Sequence, residues 1–128
     1  MIGLPHPVRV FLHAPATDLR KGFDALCGLV TAAFGQDPTS GHLFLFVNRR
    51  RDRIKILYWD RDGLAIWYKR LEGGSFQVPA TSGDAVSIEM TATQLSLILS
   101  GIDLGSARQR RRHRRPAPAV EESAGAPL

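Results

Sequence analysis

Residues 41–74 read GHLFLFVNRRRDRIKILYWDRDGLAIWYKRLEGG and contain three short apolar runs that are joined by two polar turns. Alternation along these runs predicts three strands, near 43–48, 53–59 and 64–71. Residues 49–52 form a four-residue hairpin loop, and residues 60–63 contain the Asp-Gly pair that is favoured in tight hairpins. This stretch therefore predicts consecutive antiparallel strands.

The residues before this stretch predict a strand followed by a helix. Residues 8–13 (VRVFLH) alternate weakly, as in a strand. Residues 18–34 carry apolar side chains at helical spacing, with Thr17 as the expected N-cap and Gly35 as the expected end. We expect this amphipathic helix to be the long helix of the domain.

The residues after it predict three shorter elements. Residues 75–78 could add a short strand, and residues 86–89 read as another. Thr91 and Gln94 match a capping box, which starts a short helix that ends near Gly101. The predicted fold class is α+β: an antiparallel sheet of four to six strands, with one long helix packed on one face and a short C-terminal helix.

Charge divides the 128 residues into a domain at 1–105 and a tail at 106–128. The net charge is +5, yet residues 1–105 carry 11 Lys and Arg against 10 Asp and Glu. Residues 106–115 add six arginines and no acid. The tail is Arg-rich, then Pro/Ala-rich, and it is predicted to be disordered because it lacks an apolar pattern.

Composition also excludes several classes of protein. The single cysteine, Cys27, rules out an intramolecular disulfide. No leader pattern is present, and no run approaches the roughly 20 apolar residues of a membrane span. We therefore expect a cytoplasmic protein with no membrane association.

The predicted hairpins sort the strand residues onto two faces of the sheet. If both loops are even in length, Leu43, Leu45 and Ile56 share one face, which we assign to the core under helix 18–34. Phe44 and Phe46 lie on the other face, which is apolar in the middle and basic near residues 49–51. A one-residue error in either loop would exchange the faces.

Basic side chains interleaved with aromatic ones indicate nucleic-acid binding. Positive charge suits phosphates, and the rings of Tyr58, Trp59, Trp67 and Tyr68 suit bases. For the arginines of the turn at 49–51, the alternative is a solvated turn. At the predicted helix start, Arg20 and Lys21 beside Gly22 are a candidate phosphate site, and an Asp24–Arg20 pair is the alternative. The candidate nucleic-acid-binding residues are Arg20, Lys21, Arg49, Arg50, Arg51, Arg53, Lys55, Lys69 and Arg70 in the domain, and Arg108, Arg110, Arg111, Arg112, Arg114 and Arg115 in the tail.

Five ordered motifs extend this interpretation to a family. They are TDLRKGFD at 17–24, SGHLF at 40–44, DRIKILYWD at 52–60, DG at 62–63 and YKRLE at 68–72. With LSLILSGID at 95–103, they resemble the small accessory protein, TnpB or Orf2, of the sixty-six family of bacterial insertion sequences, over roughly residues 2–104. An RNA-guided nuclease of the same name is unrelated and far longer.

The resemblance implies a protein that is encoded beside a separate DDE-type transposase and is needed for efficient transposition. It implies no catalytic residues. We expect DNA and that transposase as partners, and the expectation of DNA comes from the basic residues. This sequence departs from the family pattern in the turn at 49–51, which lacks an expected glycine.

No metal, cofactor or catalytic site is expected. His6, His13 and His42 are scattered without ligand spacing. Asp60, Asp62 and Glu72 could serve as magnesium ligands, although turn chemistry explains both aspartates. We therefore expect a non-catalytic accessory factor for DNA transposition that binds DNA and/or the transposase. A pure protein–protein adaptor is the first alternative, and a metal-dependent nuclease is the second.

Overall fold

The computed structural model describes residues 7–79 and 83–101. Its strands are β1 (Val10–His13), β2 (Leu43–Val47), β3 (Arg53–Asp60), β4 (Gly63–Arg70) and β5 (Ser87–Met90). Its helices are α1 (Phe23–Leu29), which continues as a π-helical segment (Val30–Phe34), and α2 (Ala92–Ser100). The five strands form one sheet in the order β4-β3-β2-β1-β5.

The two predicted hairpins are confirmed. β2 pairs antiparallel with β3, and β3 pairs antiparallel with β4, so that Leu45, Ile56 and Trp67 lie side by side across the three strands. Asp60 is opposite Gly63, which leaves a two-residue loop between β3 and β4. Both loops are even in length, and the predicted division of residues between the two faces is therefore correct.

The prediction of a purely antiparallel sheet is wrong, because β1 and β2 pair in parallel, with Val10 opposite Leu43. A parallel pair needs a crossover connection, and α1 with the π-helical segment supplies it. β5 then pairs antiparallel with the free side of β1. The sheet is mixed, since a strand–helix–strand unit precedes the hairpins.

The prediction of a long helix over 18–34 is also wrong. Gly22 is extended (φ −100°, ψ −155°), and α1 begins only at Phe23. Asp18 accepts a hydrogen bond from the Arg20 backbone N–H at 3.0 Å, so this segment folds as a local turn before the helix. Thr17 is not the N-cap; its backbone N–H donates to Val47 at 2.8 Å and ties the turn to β2.

Each face of the sheet is covered by one helix. The α1 face of the sheet packs Phe44, Phe46 and Leu57 against α1 and the π-helical segment. The α2 face packs Leu45 and Ile56 beneath α2 and the segment at 71–78. Our assignment of Leu43, Leu45 and Ile56 to the long helix was therefore wrong, because both faces are apolar and alternation cannot tell which helix covers which.

The C-terminal elements follow the prediction closely. Thr91 and Gln94 form the capping box of α2, and Gly101 ends the helix in a left-handed conformation. The strand expected at 86–89 is β5. Residues 75–78 form no strand, but Phe76 is buried and its N–H donates to the Arg51 carbonyl at 2.6 Å.

Candidate nucleic-acid interface

A cleft of about 450 Å³ opens where the turn before α1, the β2–β3 hairpin loop and the end of β4 meet. We call it the basic cleft. The hydrogen bond from Thr17 to β2 holds the first turn beside the hairpin loop. Its lining residues are Ala16, Thr17, Asp18, Leu19, Arg20, Asn48, Arg49, Arg50, Asp52, Arg53 and Tyr68.

Four arginines and two aspartates line the basic cleft, which gives it a positive charge. Arg49, Arg50 and Arg53 are all exposed. Within the described residues, none of the ion pairs involves these three side chains. Their guanidinium donors can therefore bind an anionic ligand without first breaking an ion pair.

Arg20 differs from the other three because Asp18 neutralises it. Arg20 Nη2 lies 2.7 Å from Asp18 Oδ2, and Arg20 Nε contacts both carboxylate oxygens. These hydrogen bonds hold the pKa of the Asp18 carboxyl well below its usual range and raise the pKa of Arg20. The partner of Arg20 is Asp18 and not the Asp24 of the alternative interpretation. The pair fixes one wall of the cleft and adds no net charge.

Tyr68 places an aromatic ring at the opposite wall. Arg53 Nη1 donates to Tyr68 Oη at 3.3 Å, and Lys55 Nζ lies 4.9 Å from the centre of the ring. Lys55 Nζ also donates to the Lys21 carbonyl at 2.9 Å. These contacts connect β3 and β4 to the turn before α1, and 47% of Tyr68 remains exposed.

Asn48 shapes the loop that carries the cleft arginines. Its side-chain oxygen accepts from the Arg53 N–H at 3.0 Å, while its Nδ2 donates to Asp52 Oδ1 at 2.7 Å. The second bond lowers the pKa of Asp52, which stays charged at neutral pH. Arg51 closes the loop at φ 62°, the left-handed conformation for which glycine is usual. In this turn an arginine therefore adopts the backbone conformation in which the family pattern leads us to expect a glycine.

Comparison with known proteins gives the chain a family. The model of the family described as IS66 Orf2 like protein matches residues 8–109. The chain belongs to this family. Two relatives come from Sinorhizobium fredii (strain NGR234). Protein y4jC is 34% identical to this chain over 80% of this chain and 86% of its own length. Protein y4hO is 38% identical over 75% of this chain and 82% of its own length. Both relatives are described as uncharacterized. No solved structure matches the chain significantly.

The resemblance predicted from sequence is thus confirmed, and seven of the nine candidate residues in the domain lie together in this IS66 Orf2-like protein. Arg20, Arg49, Arg50 and Arg53 line the basic cleft. Lys55 adjoins it beside the Tyr68 ring, and Lys55 Nζ donates to the carbonyl of Lys21. Arg70 lies opposite Arg53 on the same face and pairs with Glu72 at 2.9 Å.

Two candidate residues lie elsewhere. Lys69 is opposite Ile54 on the α2 face, where it borders a separate apolar groove. Arg51 lines a smaller cavity beside Leu12 and Val78. Arg20 and Lys21 precede α1 instead of forming its first turn, so they do not form the phosphate site that was considered for the helix start. The six candidate arginines of the tail, Arg108, Arg110, Arg111, Arg112, Arg114 and Arg115, lie outside the described residues.

The structure separates the residues of the nuclease alternative. Asp60 and Asp62 flank the β3–β4 turn, whereas Glu72 follows the opposite end of β4. In residues 7–79 and 83–101, no group of three His, Cys, Asp or Glu side chains could hold a metal ion. A divalent-cation site built on these three carboxylates does not form here.

Two residues that help to form the basic cleft, Tyr68 and Asn48, were missed as site residues by sequence reasoning. The sequence places Tyr68 on the same face as Arg53, as the register confirms, but Tyr68 was not among the candidate site residues. Asn48 was read only as the end of a strand, although asparagine at the start of a turn is a common signal for side-chain capping of the backbone.

No helix in the described segments is long and apolar enough to cross a membrane.

Proposed function

We propose that this IS66 Orf2-like protein is a non-catalytic accessory factor of transposition that binds DNA through its basic cleft. The observation that carries the proposal is the convergence of Arg49, Arg50 and Arg53 beside Tyr68. Arg49 and Arg50 lie in the β2–β3 hairpin loop, Arg53 begins β3, and the ring comes from β4.

The chemistry of the cleft suits the DNA backbone. Arginine forks bind phosphate oxygens in pairs, and such contacts position a protein on DNA without reading its sequence. The half-exposed Tyr68 ring offers a surface for a base or sugar at the same site. We therefore expect salt-dependent binding with little sequence preference from the cleft itself.

A charge-matched comparison tests this function. Arg50→Gln combined with Arg53→Gln removes two charges from the cleft, and Arg61→Gln combined with Lys69→Gln removes two charges from the far turn and the α2 face. Fluorescence anisotropy with a labelled duplex should show weaker binding for the cleft variant only. For the cleft variant, the slope of the logarithm of the binding constant against the logarithm of the salt concentration (the log–log salt slope) should decrease in magnitude by about 0.9 for each phosphate that the variant no longer binds.

Two results would contradict the proposal. Equal losses in the two variants would mean that total charge, and not the cleft, determines binding. Absence of any binding by the unaltered protein at about 50 mM salt, where non-specific contacts are strong, would leave the adaptor alternative in its place.

One observation favours that alternative, a pure adaptor of the transposase encoded by the same element. An open apolar groove of about 530 Å³ lies on the α2 face beside Trp67, of which 40% is exposed. Exposed apolar surface of this kind is typical of protein contacts. Retention of a purified transposase by the protein, lost in Trp67→Ala and kept in the cleft variant, would support the adaptor function.

A further inference from the structure

β4 is an edge strand that lacks the usual protection against pairing. It lies at one end of the sheet order, and no described strand pairs with its outer side. It pairs with β3 in an unbroken register along its whole length, so it contains no bulge. Residues 63–68 (GLAIWY) carry neither charge nor proline. Natural edges normally carry one of these features, because an open edge is a template for another strand.

The register shows which backbone groups face outward. The Leu71 N–H donates to the Asp52 carbonyl at 2.7 Å, one step beyond the pairing of Arg53 with Arg70. Ladder bonds in an antiparallel pair alternate along each strand. The odd-numbered residues of β4 therefore bond to β3, and the N–H and C=O groups of Leu64, Ile66 and Tyr68 point away from the sheet.

We infer that β4 pairs antiparallel with β4 of a second copy of this chain, about a two-fold axis at Ile66. Such an axis can pass through a hydrogen-bonded or a non-hydrogen-bonded residue pair. Axes at Ile66 and at Trp67 give the longest overlap within β4, and charge distinguishes between the two. In this register Leu64 faces the partner's Tyr68, and Ala65 faces the partner's Trp67. The bulky exposed rings thereby cover the small or aliphatic side chains of the other copy.

Charge complementarity supports the same register. Asp62 directly precedes β4 and Arg70 ends it, so each Arg70, which also pairs with Glu72 of its own chain, faces the partner's Asp62 at the two ends of the paired strands. Lys69, the remaining charge of the strand, faces the partner's Gly63, which has no side chain to oppose it. An axis at Trp67 would instead place Arg70 against the partner's Leu64, so the charges favour Ile66.

The two-fold axis is perpendicular to the sheet, so both copies keep the same face on the same side. A continuous ten-stranded sheet results, with both α1 helices on one side and both α2 helices on the other. One pair of strands buries less than the roughly 1,200 Å² of a standard interface. We therefore expect a reversible dimer, and its formation does not depend on DNA binding.

Cysteine cross-linking tests the axis. In chains with Cys27→Ala, Ile66→Cys should form an intermolecular disulfide under mild oxidation, because the paired Cα atoms would be about 5.5 Å apart. Leu64→Cys is the matched control: it packs against the same core, and its two copies would lie about 14 Å apart. Thermal melts establish that both variants fold.

Sedimentation velocity of the unaltered chain supplies the second measurement. A concentration-dependent dimer is expected, with an increase of about tenfold in its dissociation constant on Arg70→Asp and recovery when Asp62→Arg is added. A strict monomer at all concentrations would overturn the inference. So would a dimer in which Leu64→Cys cross-links as readily as Ile66→Cys, or in which the second charge reversal restores nothing.

Discussion

Arg51 combines a long side chain with a left-handed backbone (φ 62°) in the loop that builds the basic cleft. Left-handed geometry costs a non-glycine residue about 1 kcal/mol or more. Arg51→Gly should therefore raise the free energy of unfolding, by about 0.5 kcal/mol after the greater freedom of glycine in the unfolded chain is subtracted. Urea denaturation measures the change. Arg50→Gly is the control, and an equal gain there would contradict this account of strain.

His13 is buried between the rings of Phe34 and Phe46, with Nδ1 3.2 Å from Thr17 Oγ1. Burial lowers the pKa of His13 below its ordinary value. Above about pH 6.5, His13 is neutral in both the folded and the unfolded chain, so its protonation does not change the free energy of unfolding. As the pH falls below this value, only the unfolded chain takes up the proton, so stability decreases until the folded pKa is reached.

Urea denaturation at pH 7.5 and pH 5.5 tests the role of His13. We expect the unaltered protein to lose stability between these values, by at most about 1.4 kcal/mol per pH unit from one proton. His13→Asn should lose less over the same interval. The carboxylates with lowered pKa values, such as Asp18, titrate below this window and do not contribute. An identical pH dependence in the variant would exclude His13 as the titrating group.

At the scale of elements, α2 depends on its capping box. Thr91 Oγ1 accepts from the Gln94 N–H at 3.0 Å, and Gln94 Oε1 accepts from the Thr91 N–H at 2.9 Å. Thr91→Ala should cost about 1 kcal/mol of unfolding free energy. Thr93→Ala, within the first turn and exposed, should be neutral or slightly stabilising because alanine favours helix. Chemical denaturation of both variants measures the difference, and equal losses would show that the cap contributes nothing.

The hairpins were predictable because local chemistry decides them. Alternating side chains set the faces of β2, β3 and β4, and the polar turns set the register. The capping box of α2 is likewise a local signal. Hence the division of strand residues between faces, and the grouping of Arg49, Arg50 and Arg53 near one end of the sheet, could be derived from sequence.

The start of α1 could not be derived in the same way. Thr17 and Asp18 match the composition of a helix N-terminus, yet Asp18 bonds to Arg20 and Thr17 bonds to β2. The second of these is a tertiary contact. The parallel pairing of β1 with β2 also depends on which face of the sheet the crossover helix α1 packs against. Because both faces of the sheet are apolar, the local sequence does not indicate which face this is.

The candidate site was therefore predicted in part. Arg49, Arg50 and Arg53 are close in sequence, whereas the wall formed by Asp18 and Arg20 reaches the hairpin through the tertiary contacts of Thr17 and Lys55. Tyr68 joins the site across a strand pair. A run of basic residues indicates the charge of a surface, but the tertiary structure decides which charges are neutralised by an acid.

At the scale of the whole molecule, we predict that the protein does not cleave nucleic acid. Plasmid and single-stranded DNA incubated with it in magnesium or manganese should remain intact, because Asp60 and Asp62 are separated from Glu72 by the length of β4. Gel electrophoresis measures cleavage. Turnover that disappears in Asp60→Ala or Asp62→Ala would refute a non-catalytic role.

The arginine-rich tail should add charge without adding stability. Six arginines in residues 106–115 can bind several phosphates, and each phosphate bound contributes about 0.9 to the log–log salt slope. A chain that ends at Gly105 should bind duplex DNA with a slope smaller by several units and melt at the same temperature. Loss of the cooperative melt would show instead that residues 106–128 are part of the folded domain.

Mapping of DNA binding onto the backbone tests the central claim most directly. In a ¹⁵N-labelled sample of the full chain, titration with a short duplex should shift the amide resonances of residues 18–21 and 48–53 together with that of Tyr68. The resonances of the β3–β4 turn at Arg61 and those of α2 should stay in place. Shifts confined to α2 and Trp67, or to residues beyond Gly105, would contradict DNA binding by the basic cleft.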